Sequence, residues 1–120
     1  MKNHLIRFLT AIILILSNYT GYTQGLVINE ILSSNKNGLT SLDGSHHDWI
    51  ELFNNSSNNI NLLNYSLSDD NEYFKKWLFP EVIVPPNGYI LVYASGQKNL
   101  LNSELHASFK IKKSGETLYL

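Results

Sequence analysis

The chain has 120 residues, 43% hydrophobic and 16% charged, with nine Lys+Arg against ten Asp+Glu and no cysteine. That length holds one domain at most, and the missing cysteine excludes thiol catalysis, thiolate metal ligation and redox switching together. A net charge of −1 supplies no general attraction to nucleic acid.

In chain order, Lys2 and Arg7 flank the start of an apolar run from Phe8 to Leu16, the charged and hydrophobic regions of a secretory signal. The run is far shorter than the roughly 20 apolar residues that span a bilayer. Residues 1–24 are therefore expected to be a cleaved leader, and residues 25–120 a secreted or cell-surface domain without a transmembrane span. Removing the leader takes away Lys2 and Arg7 and no acid, which moves the net charge to −3.

The remainder reads as strands separated by turns. Leu26 to Leu32 is rich in branched residues and bounded by Gly25 and Ser33, which predicts a first strand. A polar loop follows, with Asn37-Gly38 and Asp43-Gly44 as turn dipeptides. Asp48 to Phe53 carries apolar residues on both alternating faces, Ile50 with Leu52 and Trp49 with Phe53, which predicts a central strand. A third strand is expected over Ile60 to Leu67 and a fourth over Tyr73 to Phe79, ended by Pro80. Val82 to Val84 leads into the turn Pro85-Pro86-Asn87-Gly88, and Tyr89 to Ala94 reads as a strand buried on both faces. Gln97 to Glu104 could hold one helical turn. His106 to Ile111 alternates Lys110 with Phe109 and Ile111, and Ser114-Gly115 turns into a last segment, Thr117 to Leu120. Short strands at this spacing, with no sustained helical period, predict a sandwich of two antiparallel sheets.

The segments Val27-Ile28-Asn29-Glu30-Ile31, Asp48-Trp49-Ile50-Glu51-Leu52-Phe53-Asn54, Leu62 to Asp69, Lys76-Trp77-Leu78-Phe79-Pro80, Pro86-Asn87-Gly88-Tyr89 and Ser114-Gly115-Glu116, in this order, resemble the lamin-tail domain in its secreted bacterial form. The resemblance covers nearly all of residues 26–120. It implies an immunoglobulin-like antiparallel β-sandwich and a non-catalytic binding or anchoring role, with Asn29, Glu30, Asp48, Trp49, Glu51, Asn54, Trp77, Pro80, Gly88, Gly115 and Glu116 as its motif residues. Members of the family usually continue past Gly-Glu-x-Leu-x-Leu with a further turn and a closing strand. The sandwich is therefore expected to lack its final strand, as a fragment of a longer exported protein or with an open edge suited to strand addition.

Asp43, His46, His47 and Asp48 gather carboxylate and imidazole within six loop positions, a ligand set that suits zinc but a spacing that matches no established site. The expectation is instead that Asp48 bonds loop amides at the strand entrance and that His46 and His47 are solvated. Glu30 and Glu51 could pair as a glycosidase does, but a structural pairing is expected, because a buried carboxylate must be satisfied. Asp69-Asp70-Asn71-Glu72 departs from the EF-hand pattern and reads as a solvated acidic turn. Lys75, Lys76, Lys98, Lys110, Lys112 and Lys113, with Tyr73 and Trp77, could form a basic-aromatic patch for nucleic acid or an anionic glycan, although solvent-facing lysine is the commoner explanation. Trp49, Phe53, Trp77, Phe79, Tyr89 and Phe109 are expected in or at the edge of the core. Ser95 beside Gly96 shows no ordered His and acid partners, and no nucleophile elbow or phosphate loop is present.

These readings converge on a binding module without catalytic residues, cofactor or metal, whose partner is an extracellular protein, glycan or nucleic acid. The alternative is the accessory N-terminal part of a secreted hydrolase, nuclease or spore-coat-kinase-like enzyme whose catalytic residues lie beyond Leu120.

Overall fold

The computed structural model describes residues 25–97 and 103–120. The leader assigned to residues 1–24 lies outside them, as do Lys98 and most of the segment where a helical turn was expected. Among the described residues no helix is long and apolar enough to cross a membrane.

Among the described residues eight strands run in chain order: β1 Leu26–Leu32, β2 Trp49–Asn54, β3 Ile60–Asn61, β4 Ser66–Leu67, β5 Trp77–Leu78, β6 Ile83–Val84, β7 Tyr89–Tyr93 and β8 Leu105–His106. One sheet has the order β1-β2-β7-β8, and two short ribbons, β3-β6 and β4-β5, form the opposing layer. All pairs are antiparallel except β7-β8, which is parallel and departs from the expected antiparallel pattern. Parallel neighbours need a crossover rather than a hairpin, and the chain between Tyr93 and Leu105 makes it.

Alternation along β2 assigns the two faces of the larger sheet. Ile28, Leu52 and Ile90 are register partners, as are Ile31, Ile50 and Val92, and this inner face meets the ribbons. Ile50, Leu52 and Val92 are fully buried there with Leu62, Leu67, Trp77, Phe79, Val84, Leu105, Phe109 and Ile111. Trp77 and Phe79, two apart on one face as expected, meet edge-on with ring centroids 4.5 Å apart.

Several predicted strands are shorter in the structure, and each shortening has a local cause. The third strand breaks at Leu62–Asn64 into a single 3₁₀ turn, because the Asn61 side chain accepts a hydrogen bond from the Leu63 amide and caps it. The fourth starts only at Trp77. Ahead of it, the Ser68 hydroxyl donates to the carbonyls of Asp70 and Tyr73 while the Asp70 carboxylate accepts from the Glu72 amide. Those side-chain bonds hold residues 69–74 in a turn that competes with the ladder. The segment ending at Ile111 pairs with β7 through Leu105 and His106 and the Ala107 amide, which donates to the Tyr93 carbonyl, and then leaves it as the Gly96 amide donates to the carbonyls of Ala107 and Phe109. The alternation predicted there survives, with Phe109 and Ile111 buried and Lys110 and Lys112 exposed. Thr117 to Leu120 contributes one antiparallel bridge, Ser68 to Tyr119. Tyr89 is also a correction: it is 59% exposed and stacks on Phe53 outside the core, because β8 pairs with only the far end of β7.

Candidate functional site

The outer face of the larger sheet carries Leu32, Trp49 and Tyr93 in register, with His106 beside Tyr93 on β8. A sandwich normally leaves this face to solvent, yet Trp49, Tyr93 and His106 are buried. The cover is the long β1–β2 loop, residues 33–48. Tyr93 donates its hydroxyl to the Thr40 carbonyl at 3.4 Å, and the rings of His47, Tyr93 and His106 lie with centroids 5.4–6.2 Å apart.

The loop is held by Asn35, a residue that sequence reading missed. Its amide nitrogen Nδ2 donates to the carbonyls of Leu39 and His47, its Oδ1 accepts from the Gly38 amide, and its own amide donates to Asp48 Oδ1 at 2.8 Å. A Cβ on Gly38 would lie 2.6 Å from Asn35 Oδ1, so the Asn37-Gly38 turn needs its glycine for the close approach. The available signal was the Asn35-x-x-Gly38 spacing, in which an Asn side chain mimics a turn carbonyl.

The predicted carboxylate–imidazole group is divided between separate tasks. Asp48 bonds a loop amide, as expected. Asp43 accepts from the Ser41 hydroxyl and the Ser45 amide, and its Oδ2 lies 2.9 Å from His47 Nε2. The Ser41 hydroxyl, the His47 contact and the Ser45 amide together hold the Asp43 carboxyl far below its ordinary range. His46 is exposed, but His47 is not simply solvated, since its ring packs under the loop against Tyr93 and His106. Among the described residues no group of three or more His, Asp or Glu side chains is placed to share a metal ion.

Ser95 is a second correction, because the fold supplies the partners that the sequence did not reveal. Its hydroxyl lies 3.0 Å from His106 Nδ1, and His106 Nε2 lies 3.3 Å from Glu104. The order serine, imidazole, carboxylate is that of a hydrolytic triad, but its setting is structural. His106 is 1% exposed and Ser95 is buried, so no substrate carbonyl could reach the hydroxyl. Ser95 also accepts from the Gln97 amide, and Glu104 accepts from the Leu42 amide through both oxygens. The chain of contacts ties the β7–β8 crossover to the loop.

The other motif residues are similarly engaged. Glu30 and Glu51 face each other across β1 and β2, but Glu30 is exposed, and Glu51 accepts from Asn29 Nδ2 at 2.7 Å. Asn29 is the extra residue of a bulge, where the register shifts between Ile28 and Glu30. Asn54 is fully buried and donates to the carbonyls of Asn58, Val84 and Pro85 while accepting from the Ser56 amide and hydroxyl. Gly88 closes the Pro85 turn, where a Cβ would lie 2.9 Å from Pro85. Gly115 takes a φ of 88°, and Glu116 accepts from the Lys112 amide. Pro80 follows Phe79 just past the end of β5.

A family model, that of the lamin tail domain, matches residues 20–120. The chain belongs to the lamin tail domain family. The lamin tail domain is a non-catalytic, immunoglobulin-like β-sandwich, which accords with the two layers, the short strands and the structural use of Ser95, Glu51 and Asp48 seen here. No curated protein and no solved structure matches the chain.

At the loop end of this lamin tail domain lies an open cleft of about 320 Å³. Its walls are the two arms of the β1–β2 loop, Ser34 to Lys36 and His46 to Asp48, together with Ala94, Lys110, Ile111 and Lys113. Lysines that the sequence placed with Tyr73 and Trp77 are thus divided between two places. Lys75 and Lys76 line a separate groove beside Tyr73, Trp77 and Leu78, where Lys76 pairs with Asp69 at 2.6 Å and lies 5.9 Å from the Phe109 ring centre.

Proposed function

We propose that the chain is a non-catalytic binding or anchoring module of an exported protein, with residues 1–24 as its leader and an extracellular or cell-surface ligand as its partner. One observation carries this reading. The groups that would suit catalysis hold backbone in place, Asp48 on Asn35, Glu104 on Leu42, Glu116 on Lys112 and Ser95 on Gln97, while an accessible cleft stands at the loop end of the sandwich. Loops on a rigid sandwich are where such folds carry recognition.

Two measurements test the reading. Residues 1–24 fused to a leaderless reporter should send it out of the cell, with the mass of the exported product marking the cleavage point; retention inside would remove the exported part. Labelled protein should sediment with envelope material from the producing cells in a saturable way. Equal sedimentation of a heat-unfolded control would remove the binding part. If the reading frame runs on into a domain with hydrolytic turnover, the sandwich is the accessory part of an enzyme.

A further inference from the structure

The cleft at the loop end gathers positive charge. Among the described residues Lys76 and Lys112 have carboxylate partners, whereas Lys36, Lys110 and Lys113, which line the cleft, take part in no ion pair. The one carboxylate in the lining, Asp48, is engaged by the Asn35 amide. Three ammonium groups therefore face one carboxylate in a chain whose overall charge is −1. Charge of one sign gathered in a concave wall raises the local concentration of the opposite ion.

Lys110 also passes close to Gly96. Gly96 has a φ of 75°, and the Lys110 methylenes pass 3.3–3.4 Å from where a Cβ on Gly96 would stand. The Gly96 amide bonds the Ala107 and Phe109 carbonyls, each at 3.1 Å, which fixes the chain just before Lys110.

The lining also narrows the ligand class. It contains no Phe, Tyr or Trp, and its only rings are the imidazoles of His46 and His47. Lysine presents a point charge with three donors, a good match to an oxyanion with several oxygens. The volume is at the low end for ligand pockets, which start near about 300 Å³, so it admits one small charged unit.

Resting on the reading of the chain as a binding module, we propose that this cleft binds a tetrahedral oxyanion, phosphate or sulfate. Lys36, Lys110 and Lys113 supply the charge.

Amide NMR titration of the protein with sodium sulfate and with sodium phosphate, at ionic strength held constant with chloride, tests the proposal. The expected result is saturable shifts centred on Ser34 to Lys36, His46 to Asp48 and Lys110 to Lys113. The Lys36→Gln/Lys110→Gln/Lys113→Gln variant should lose about tenfold or more in affinity, and Lys75→Gln, in the other groove, should lose none. Should the triple variant fail to fold, the exposed Lys113→Gln change alone carries the comparison. Non-saturating shifts spread over the surface, or a variant that binds as the parent does, overturns the proposal. Envelope binding that survives the triple substitution leaves the module reading standing without this cleft. Oxyanion binding with no envelope retention removes the module reading instead.

Discussion

At the scale of single residues, the side chains that hold this fold are short polar ones. Asn54 is fully buried and bonds three carbonyls with one amide group. Removing that amide leaves buried acceptors without partners, so Asn54→Leu should destabilise the domain by about 2–4 kcal/mol in urea unfolding; a loss under about 0.5 kcal/mol would mean that water replaces the amide at no cost. Asp43 makes stability depend on pH. Its carboxyl in the folded chain sits below the ordinary value of 3.8, so its contribution is present above that value and is lost as pH falls toward the folded one. Tyr93 acts in the opposite direction. Burial, with Glu104 and Asp43 nearby, raises its hydroxyl above 10.0, so that contribution is present below pH 10 and is lost as pH rises through the folded value. Urea midpoints should therefore fall on both sides of neutrality, the acid limb flattening in Asp43→Asn and the alkaline limb in Tyr93→Phe. An unaltered acid limb in Asp43→Asn would show that other carboxylates govern it. Asn54 and Asp48 were legible as motif residues. Asn35 was not, because in a chain with Asn54-Asn55 and Asn58-Asn59 pairs no single asparagine stands out by composition.

At the scale of elements, the long strands were legible and the short ones were not, for one physical reason. β1, β2 and β7 are five to seven residues long and rich in branched and aromatic residues, which leaves no competing local structure. β3, β4 and β5 span two residues each and are bounded by Asn61, Ser68 and Asp70, whose side chains bond the nearby backbone as readily as a ladder would. The central place of β2 was correctly read from its two apolar faces, and Ile50 is its most enclosed point, with Ile31 and Val92 as register partners. Ile50→Asp should cost about 3 kcal/mol or more, since it sets an unpaired charge in the core; a mild effect would assign the core to the opposite face. His46→Ala, on the exposed side of the loop, should change stability by no more than about 0.5 kcal/mol.

At the scale of the whole molecule, the domain has two packed regions on opposite faces of one sheet. The larger lies between the sheet and the ribbons, and the smaller puts Trp49, Tyr93, His47 and His106 beneath the β1–β2 loop. Hydrophobic periodicity indicated the first. The second depends on the loop folding back over the sheet, which only the contacts among distant residues specify, and the Ser95, His106 and Glu104 contacts were hidden with it. The bridge between Ser68 and Tyr119 has a further consequence, in the order of events during synthesis. Its two backbone hydrogen bonds, at 2.8 and 3.0 Å, join positions about fifty residues apart and fasten β4 beside β5, and Tyr119 also packs its ring edge-on against Phe74. A ribosome makes about 5–20 residues each second, so Ser68 waits several seconds for its partner. Ser68 thus gains these two bonds only once Tyr119 has been made.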